Sequence, residues 1–295
     1  MDKILYTLLD LWIRLHARLP LKILYALSDI LYVLVYRLAR YRVSVARRNI
    51  AASFPNKTFA QRRHIERRFY RHFTDFLVET IKMAGMDEGE IRRRADITNP
   101  GLIDDLVNRG HTCVMILLGH YGNWEWFSAA NGFFEKASMY PVYRPLTSKA
   151  FDRVFTDMRA RHGASGIPKR DTIRHLLSLK ESGKPAMAVF LADQTPSRAN
   201  LHYWTTFLSQ ETAFLTGPER IACKLGLPMV YADISKLGRG RYSVEFKLLS
   251  ECPGAPDGYP LTGAYAAMLQ QTILRNPAYW LWTHRRWKYK PEDAL

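Results

Sequence analysis

Helices alternating with short apolar runs predict an α/β fold: a mixed, largely buried sheet flanked by helices, preceded by a membrane-associating helical region. Five runs read as strands: "TCVMILLG" (112–119), "ASMYPVY" (137–143), "PAMAVFLAD" (185–193), "PMVYADIS" (228–235) and "YSVEFKLL" (242–249). Short apolar runs alternating with helices in this way suit an α/β domain with a largely buried sheet. Helical periodicity fills the gaps near 59–84, 122–135, 148–162, 171–182, 214–226 and 262–275. "KLGRGRYS" (236–243) reads as a turn between two strands, so part of the sheet is expected to be antiparallel. With 295 residues and 47% apolar side chains, the chain can bury a sizeable core.

The first element is amphipathic. Ile4, Leu8, Leu11, Trp12, Leu15 and Leu19 fall on one face at 100° per residue, with Lys3, Asp10, Arg14 and Arg18 opposite. Such a helix suits a membrane interface, and equally an ordinary surface helix packed on its own domain. The next run, "ILYALSDILYVLVY" (23–36), has fourteen residues interrupted by Ser28 and Asp29. A clean span needs about 20 apolar residues. Residues 1–40 are therefore expected to associate with a membrane, by spanning or by lying on it, and 41–295 to form the α/β domain. No convincing cleavage site follows, so the segment is expected to be retained. Removing it should give a more soluble protein.

From Arg37 to His72 the chain is strongly basic, with Glu66 as its one acidic residue. Over the whole chain 43 Lys and Arg face 27 Asp and Glu, a net charge of +16. That excess attracts an anionic membrane, nucleic acid or an acidic protein. Position beside the apolar segment favours the anionic cytoplasmic leaflet. No helix-turn-helix or RNA-binding aromatic signature is present, so no nucleic acid partner is expected. Three scattered cysteines, Cys113, Cys223 and Cys252, fit a reducing compartment and give neither a disulfide framework nor a zinc site. There is no Walker loop, GxGxxG or HExxH. "NKT" (56–58) matches a glycosylation sequon of the kind common by chance.

The chemistry concentrates in "VMILLGHYGNWEWFSA" (114–129). His120 ends a buried strand, at the edge where α/β sheets gather their ligands. Gly122 permits a sharp turn, Asn123 can cap, and Glu125 falls in the first turn of the next helix. Folding back, that turn would bring Glu125 to His120. Histidine can take a proton from a hydroxyl near neutrality, and a neighbouring carboxylate can fix its tautomer. No serine or cysteine nucleophile is spaced with the pair. The expected chemistry is direct: the base activates a substrate hydroxyl, which attacks an activated acyl group. A buried structural histidine would show the same spacing. No metal or cofactor is implied.

These residues, taken with others, resemble the bacterial lipid A biosynthesis (lauroyl/myristoyl) acyltransferases, within the lysophospholipid-acyltransferase-like group. The resemblance runs over nearly the whole chain: "VARRNIAASFP" (45–55), "GHYGNWE" (119–125), "VYRP" (142–145), "IPKRDTIRHLLSLKESGKPAMAVFLADQ" (167–194), "FLSQETAFLTGPERIA" (207–222) and "NPAYWLWTHRRWK" (276–288). It implies a glycerolipid-acyltransferase-like fold. His120 and Glu125 match the family's H-x-x-x-x-[DE] catalytic motif. Arg144, Arg159 and Asp193 match further functional positions and are expected to bind substrate. Gly119 and Asn123 are expected to serve local geometry.

The same resemblance implies an acyl thioester donor, acyl carrier protein or acyl-CoA, and an anionic membrane lipid as acceptor. It implies a site of action at the cytoplasmic face of the inner membrane. The positive charge suits both partners, and "HRRWKYK" (284–290) is expected to contribute. The aromatic helix "WEWFSAANGFF" is expected either to line an acyl tunnel or to be plain core. Two departures bear on the acceptor side: "FLS" (207–209) replaces an F-F-G block, and "PSRAN" follows "DQT". Alternatives are acylation of another glycolipid or aminolipid from acyl-CoA, a thioesterase that activates water, and a non-enzymatic basic protein tethered to the membrane.

Overall fold

The computed structural model describes residues 2–254 and 258–293. The amino-terminal third is helical: α1 Asp2–Ala17, α2 Leu21–Tyr32 continuing as a π-helical turn Val33–Leu38, α3 Val43–Ser53, α4 Phe59–Met83 and α5 Glu88–Arg94. The rest alternates: β1 Ala95–Ile97, α6 Gly101–Asn108, β2 Cys113–Leu118, α7 Trp124–Ala129, β3 Ser138–Tyr143, α8 Lys149–Ala160, β4 Ile167–Pro168, α9 Thr172–Glu181, β5 Ala186–Leu191, β6 Trp204–Phe207, β7 Gln210–Ala213, α10 Gly217–Leu225, β8 Met229–Gly238, β9 Arg241–Ser250 and α11 Pro260–Arg275.

Seven strands form one sheet in the order β1-β9-β8-β2-β5-β3-β4. All neighbours are parallel except β8 and β9, which make the expected antiparallel hairpin around residues 238–241. A separate hairpin pairs β6 with β7. The expected α/β class and mixed sheet are thus present. The short β1, β4, β6 and β7, and the helices α3, α5 and α6, are additional.

The centre of the sheet follows directly from composition. All six residues of "CVMILL" in β2 are buried, between β5 on one side and β8 on the other. Covered on both faces, such a strand gains from every side chain, and so carries no polar alternation. Long α4 starts at a reciprocal cap, in which Thr58 accepts from the Gln61 backbone and the Gln61 side chain accepts from that of Thr58. Pro218 opens α10 and Gly226 closes it with φ +63°.

The two amino-terminal helices meet the rest of the fold differently. Helix α2 packs on α4 and adds Leu21, Leu24, Tyr32 and Tyr36 to the main core. Polar ties accompany the packing: Ser28 donates to Asp75 at 2.8 Å, and Tyr36 to Glu66 at 3.0 Å. Helix α1 packs on α8 and α4, with Tyr6, Leu9 and Ile13 half-buried against the core, and Tyr6 donates to Asp157 of α8 at 2.7 Å. The apolar stripe read from the sequence points the other way. Ile4, Leu8, Leu11, Trp12 and Leu15 are all exposed, Ile4 to 69%. Among the described residues no single helix is long and apolar enough to cross a membrane, and Asp2–Ala17 and Leu21–Leu38 meet at a bend of 117°.

Candidate active site

His120 and Asp193 are brought together by strand register. In the parallel pair β2–β5, Leu118 stands opposite Leu191. His120 lies two residues beyond one and Asp193 two beyond the other. Neighbouring strands are about 4.8 Å apart, so equal offsets place the two side chains side by side. The contact is close: His120 Nδ1 lies 2.6 Å from Asp193 Oδ1, and the His120 backbone N–H donates to Asp193 Oδ2 at 2.8 Å. A carboxylate there accepts a hydrogen bond from Nδ1–H, which fixes the tautomer and leaves Nε2 as the acceptor nitrogen. The side chain of Gln194 reaches His120 Nε2 at 3.1 Å.

The carboxyl-terminal segment closes over this pair. Gly122 N–H donates to Tyr279 O, Leu281 N–H donates to His120 O, and the Trp280 indole donates to Asp193 Oδ2 at 2.8 Å. Burial by itself would raise the Asp193 carboxyl. The neighbouring His120 charge, with hydrogen bonds from His120 and Trp280, outweighs it and lowers the group to about 2. Close by, Thr195 N–H donates to His284 Nε2 at 3.2 Å. Burial, with Arg286 adding to it, lowers His284 to about 4. The "HRRWKYK" run is thus divided: Arg286 is 2% exposed and donates to Ala213 O, while Arg285, Lys288 and Lys290 are exposed.

Two glycines make the approach possible. A Cβ on Gly119 would sit 2.5 Å from Leu269 Cδ1 and 3.3 Å from Asp193 Oδ2. Gly122 has φ +62°, and its Cβ would meet Ile234 Cγ2 at 2.9 Å. Asn123 then caps α7 by accepting from Trp126 N–H at 3.3 Å. Both local-geometry expectations, for Gly119 and Asn123, agree with these contacts.

Glu125 corrects the expected pairing. It does not hydrogen-bond His120. Arg159, near the end of α8, holds it through Nε and Nη2 at 3.0–3.2 Å. The reason is the direction of α7. Its N-terminal turn sends Glu125 toward β3 and α8, while Trp124 stands edge-on to His120 and stacks on Phe76. Asp193, expected to bind substrate, is 2% exposed and occupies the position beside His120 foreseen for Glu125.

Glu125 and Arg159 line a cleft of about 400 Å³, counting its open mouth, with Leu118, Phe127, Met139, Val142, Val189 and Leu191 as apolar walls. The aromatic helix therefore divides, with Trp124 and Phe127 on the cleft and Trp126 in the core. Arg144 is exposed and bonded to no other described residue. Among the described residues no group of three or more His, Cys, Asp or Glu could hold a metal ion. Trp280, Gln194 and His284 lie in the motifs quoted above, but only strand order reveals that they converge on His120 and Asp193.

The family model described as bacterial lipid A biosynthesis acyltransferase matches residues 4–289. The chain is 24% identical over 288 residues to the lipid A biosynthesis palmitoleoyltransferase of Escherichia coli K12, covering 95% of this chain and 89% of that one. It is 23% identical over 285 residues to the lauroyltransferase of the same organism, covering 96% and 90%. A lipid A biosynthesis acyltransferase of Shigella flexneri matches at 24% over 288 residues. With a match spanning almost its whole length, the chain belongs to the bacterial lipid A biosynthesis acyltransferases.

Proposed function

We propose that this acyltransferase moves a fatty acyl chain from an acyl carrier protein thioester to a hydroxyl of a lipid A precursor, with His120 as general base. The observation that carries the reading is the His120 Nδ1–Asp193 contact at 2.6 Å, on the same sheet edge as an apolar cleft. A nearly buried carboxylate commits Nδ1 as a donor and leaves Nε2 to accept a proton. The acceptor hydroxyl replaces the Gln194 side chain at Nε2 and gives up its proton as its oxygen attacks the thioester carbonyl. A C–O bond forms, and the carbonyl pair moves onto oxygen. Collapse of that oxyanion breaks the C–S bond, and the leaving thiolate takes the proton from His120.

Glu125 contributes through Arg159. Two of the guanidinium nitrogens are committed to the carboxylate, and Nη1 bonds no other described residue. A fixed guanidinium at the cleft can hold the developing oxyanion or a substrate phosphate. Exposed Arg144 serves the anionic acceptor. The apolar walls receive the acyl chain.

The exposed stripe on α1 supports attachment at a bilayer interface, with Arg14 and the following Arg18 also exposed to meet anionic headgroups. The +16 charge supports an acidic carrier protein and the cytoplasmic face of the inner membrane. The direct test is acyl transfer from acyl carrier protein to a lipid A precursor in detergent micelles. His120→Ala should lower kcat by about 10²–10⁴. A folded His120→Ala protein with near wild-type transfer overturns the mechanism.

A further inference from the structure

Glu79, on α4, is 0% exposed, and no Lys, Arg or His side chain bonds its carboxylate among the described residues. It is gripped by neutral donors from three distant segments. Tyr25 of α2 donates to Oε1 at 2.9 Å. Tyr242 of β9 donates to Oε2 at 2.7 Å, and Asn123 Nδ2 to Oε2 at 2.9 Å. The backbone carbonyl of the same residue accepts from the Trp126 indole at 2.8 Å. Two turns earlier on α4, His72 Nε2 meets Gly122 O at 3.1 Å. Helix α4 thus holds the turn 122–126 through three hydrogen bonds, and Glu79 supplies two of them.

The chemistry of the Asn123 amide gives Glu79 a task. An amide offers donors on one side and an acceptor on the other, while a carboxylate only accepts. With Nδ2 pinned on Glu79, Oδ1 is forced toward Trp126 N–H and caps α7. The rotated amide would face the helix terminus with a donor and uncap it. Glu125 lies in the first turn of that helix and meets Arg159 only if the helix starts there. Trp124, packed against His120, is fixed by the same start.

We propose that Glu79 is a positioning residue for acyl transfer: it selects the capping orientation of Asn123 and so sets α7, with Glu125 and Trp124, against the site. The proposal rests on the assignment of Glu125 to the reaction, and its test is chosen to separate the two. Glu79→Ala should raise hydrogen exchange in residues 124–129 and leave β2 and β5 protected. Its kcat with acyl carrier protein thioester and lipid A precursor should fall at least about tenfold, with donor KM within about twofold.

Glu79→Gln, whose Oε1 can still accept from Asn123 Nδ2 and Tyr242 while its Nε2 donates to the Tyr25 hydroxyl, should keep kcat within about threefold. Asn123→Asp sets a second carboxylate against the first and should be impaired. The exchanged pair Glu79→Gln with Asn123→Asp restores donor to acceptor and should recover transfer. Normal exchange in α7 of Glu79→Ala overturns the proposal. So does an exchanged pair no better than Asn123→Asp alone, which decides the matter should Glu79→Ala fail to fold. Should the wild type transfer no acyl chain, the exchange data still judge the positioning, and only the functional reading fails.

Discussion

At the scale of residues, the proposed site rests on two couples, His120 with Asp193 and Glu125 with Arg159. Members of a couple act as a unit, so their losses should not multiply, whereas losses from different couples should. His120→Ala with Asp193→Asn should cost little more than either alone, each on the order of 10²–10⁴ in kcat. Glu125→Ala with Arg159→Ala should behave the same way, and His120→Ala with Arg159→Ala should be close to the product. The check is a set of double-mutant cycles on acyl transfer. Coupling of Glu125 to His120 rather than to Arg159 would restore the pairing expected from the sequence. That expectation relied on local spacing, which shows Glu125 one helical turn from the strand end but not where α7 points. Asp193 was equally visible at the end of "AVFLAD", two residues beyond its strand as His120 is beyond its own. Its pairing became legible only with β2 beside β5, because strand order is a non-local property that no spacing encodes.

At the scale of elements, the amino-terminal helices differ in what they bury, and truncation should separate them. Deleting residues 1–16 removes the exposed stripe of α1 but leaves Ala17, whose carbonyl accepts from Lys82 at 3.0 Å. The protein should stay folded, with similar thermal stability, and need less detergent for extraction. Deleting residues 1–40 removes four large buried apolar side chains, Leu21, Leu24, Tyr32 and Tyr36, together worth on the order of 6–12 kcal/mol. Whole domains are stable by only about 5–15 kcal/mol. It also leaves Glu66, Asp75 and Glu79 short of hydroxyl donors. That cut should give an insoluble or unfolded chain, contrary to the gain in solubility expected from the sequence. Circular dichroism and detergent-free fractionation of the two deletions decide it. A folded, soluble product from the longer cut would restore residue 40 as a domain boundary. The sequence marked 23–36 by its apolar content, which a bilayer and a protein core both satisfy. Ser28 was read as an interruption, yet it faces Asp75 and ties the helix to α4. The short β1 and the β6–β7 hairpin left no signal, since three or four residues cannot display a period.

At the scale of the whole molecule, the basic chain keeps several histidines out of water. His72 lies well below its ordinary 6.5, through burial and then the Lys236 charge beside Nδ1. His162 is lowered by burial, and His284 to about 4 by burial and then by Arg286. In each case the fold favours the neutral ring, so the unfolded chain binds protons first as the pH drops. Stability from these groups is therefore present above their ordinary 6.5 and lost as the pH falls below it, for His284 down through about 4. Asp193 acts in a lower window. Its carboxyl is ordinary at 3.8 and about 2 in the fold, so its contribution is complete above about pH 4 and lost as the pH falls through 2. Between pH 6.5 and 5 the decline belongs to the histidines, because Glu66 and Asp233 are also lowered in the fold and titrate further down. The urea midpoint should thus be level above pH 7 and fall steadily from pH 6.5 to 5. His284→Gln keeps an acceptor for Thr195 N–H while removing the titration, so its slope should be shallower. Equal wild-type midpoints at pH 7 and pH 5 would mean that these rings are protonated without loss of the fold. Their burial would then carry no pH-dependent stability.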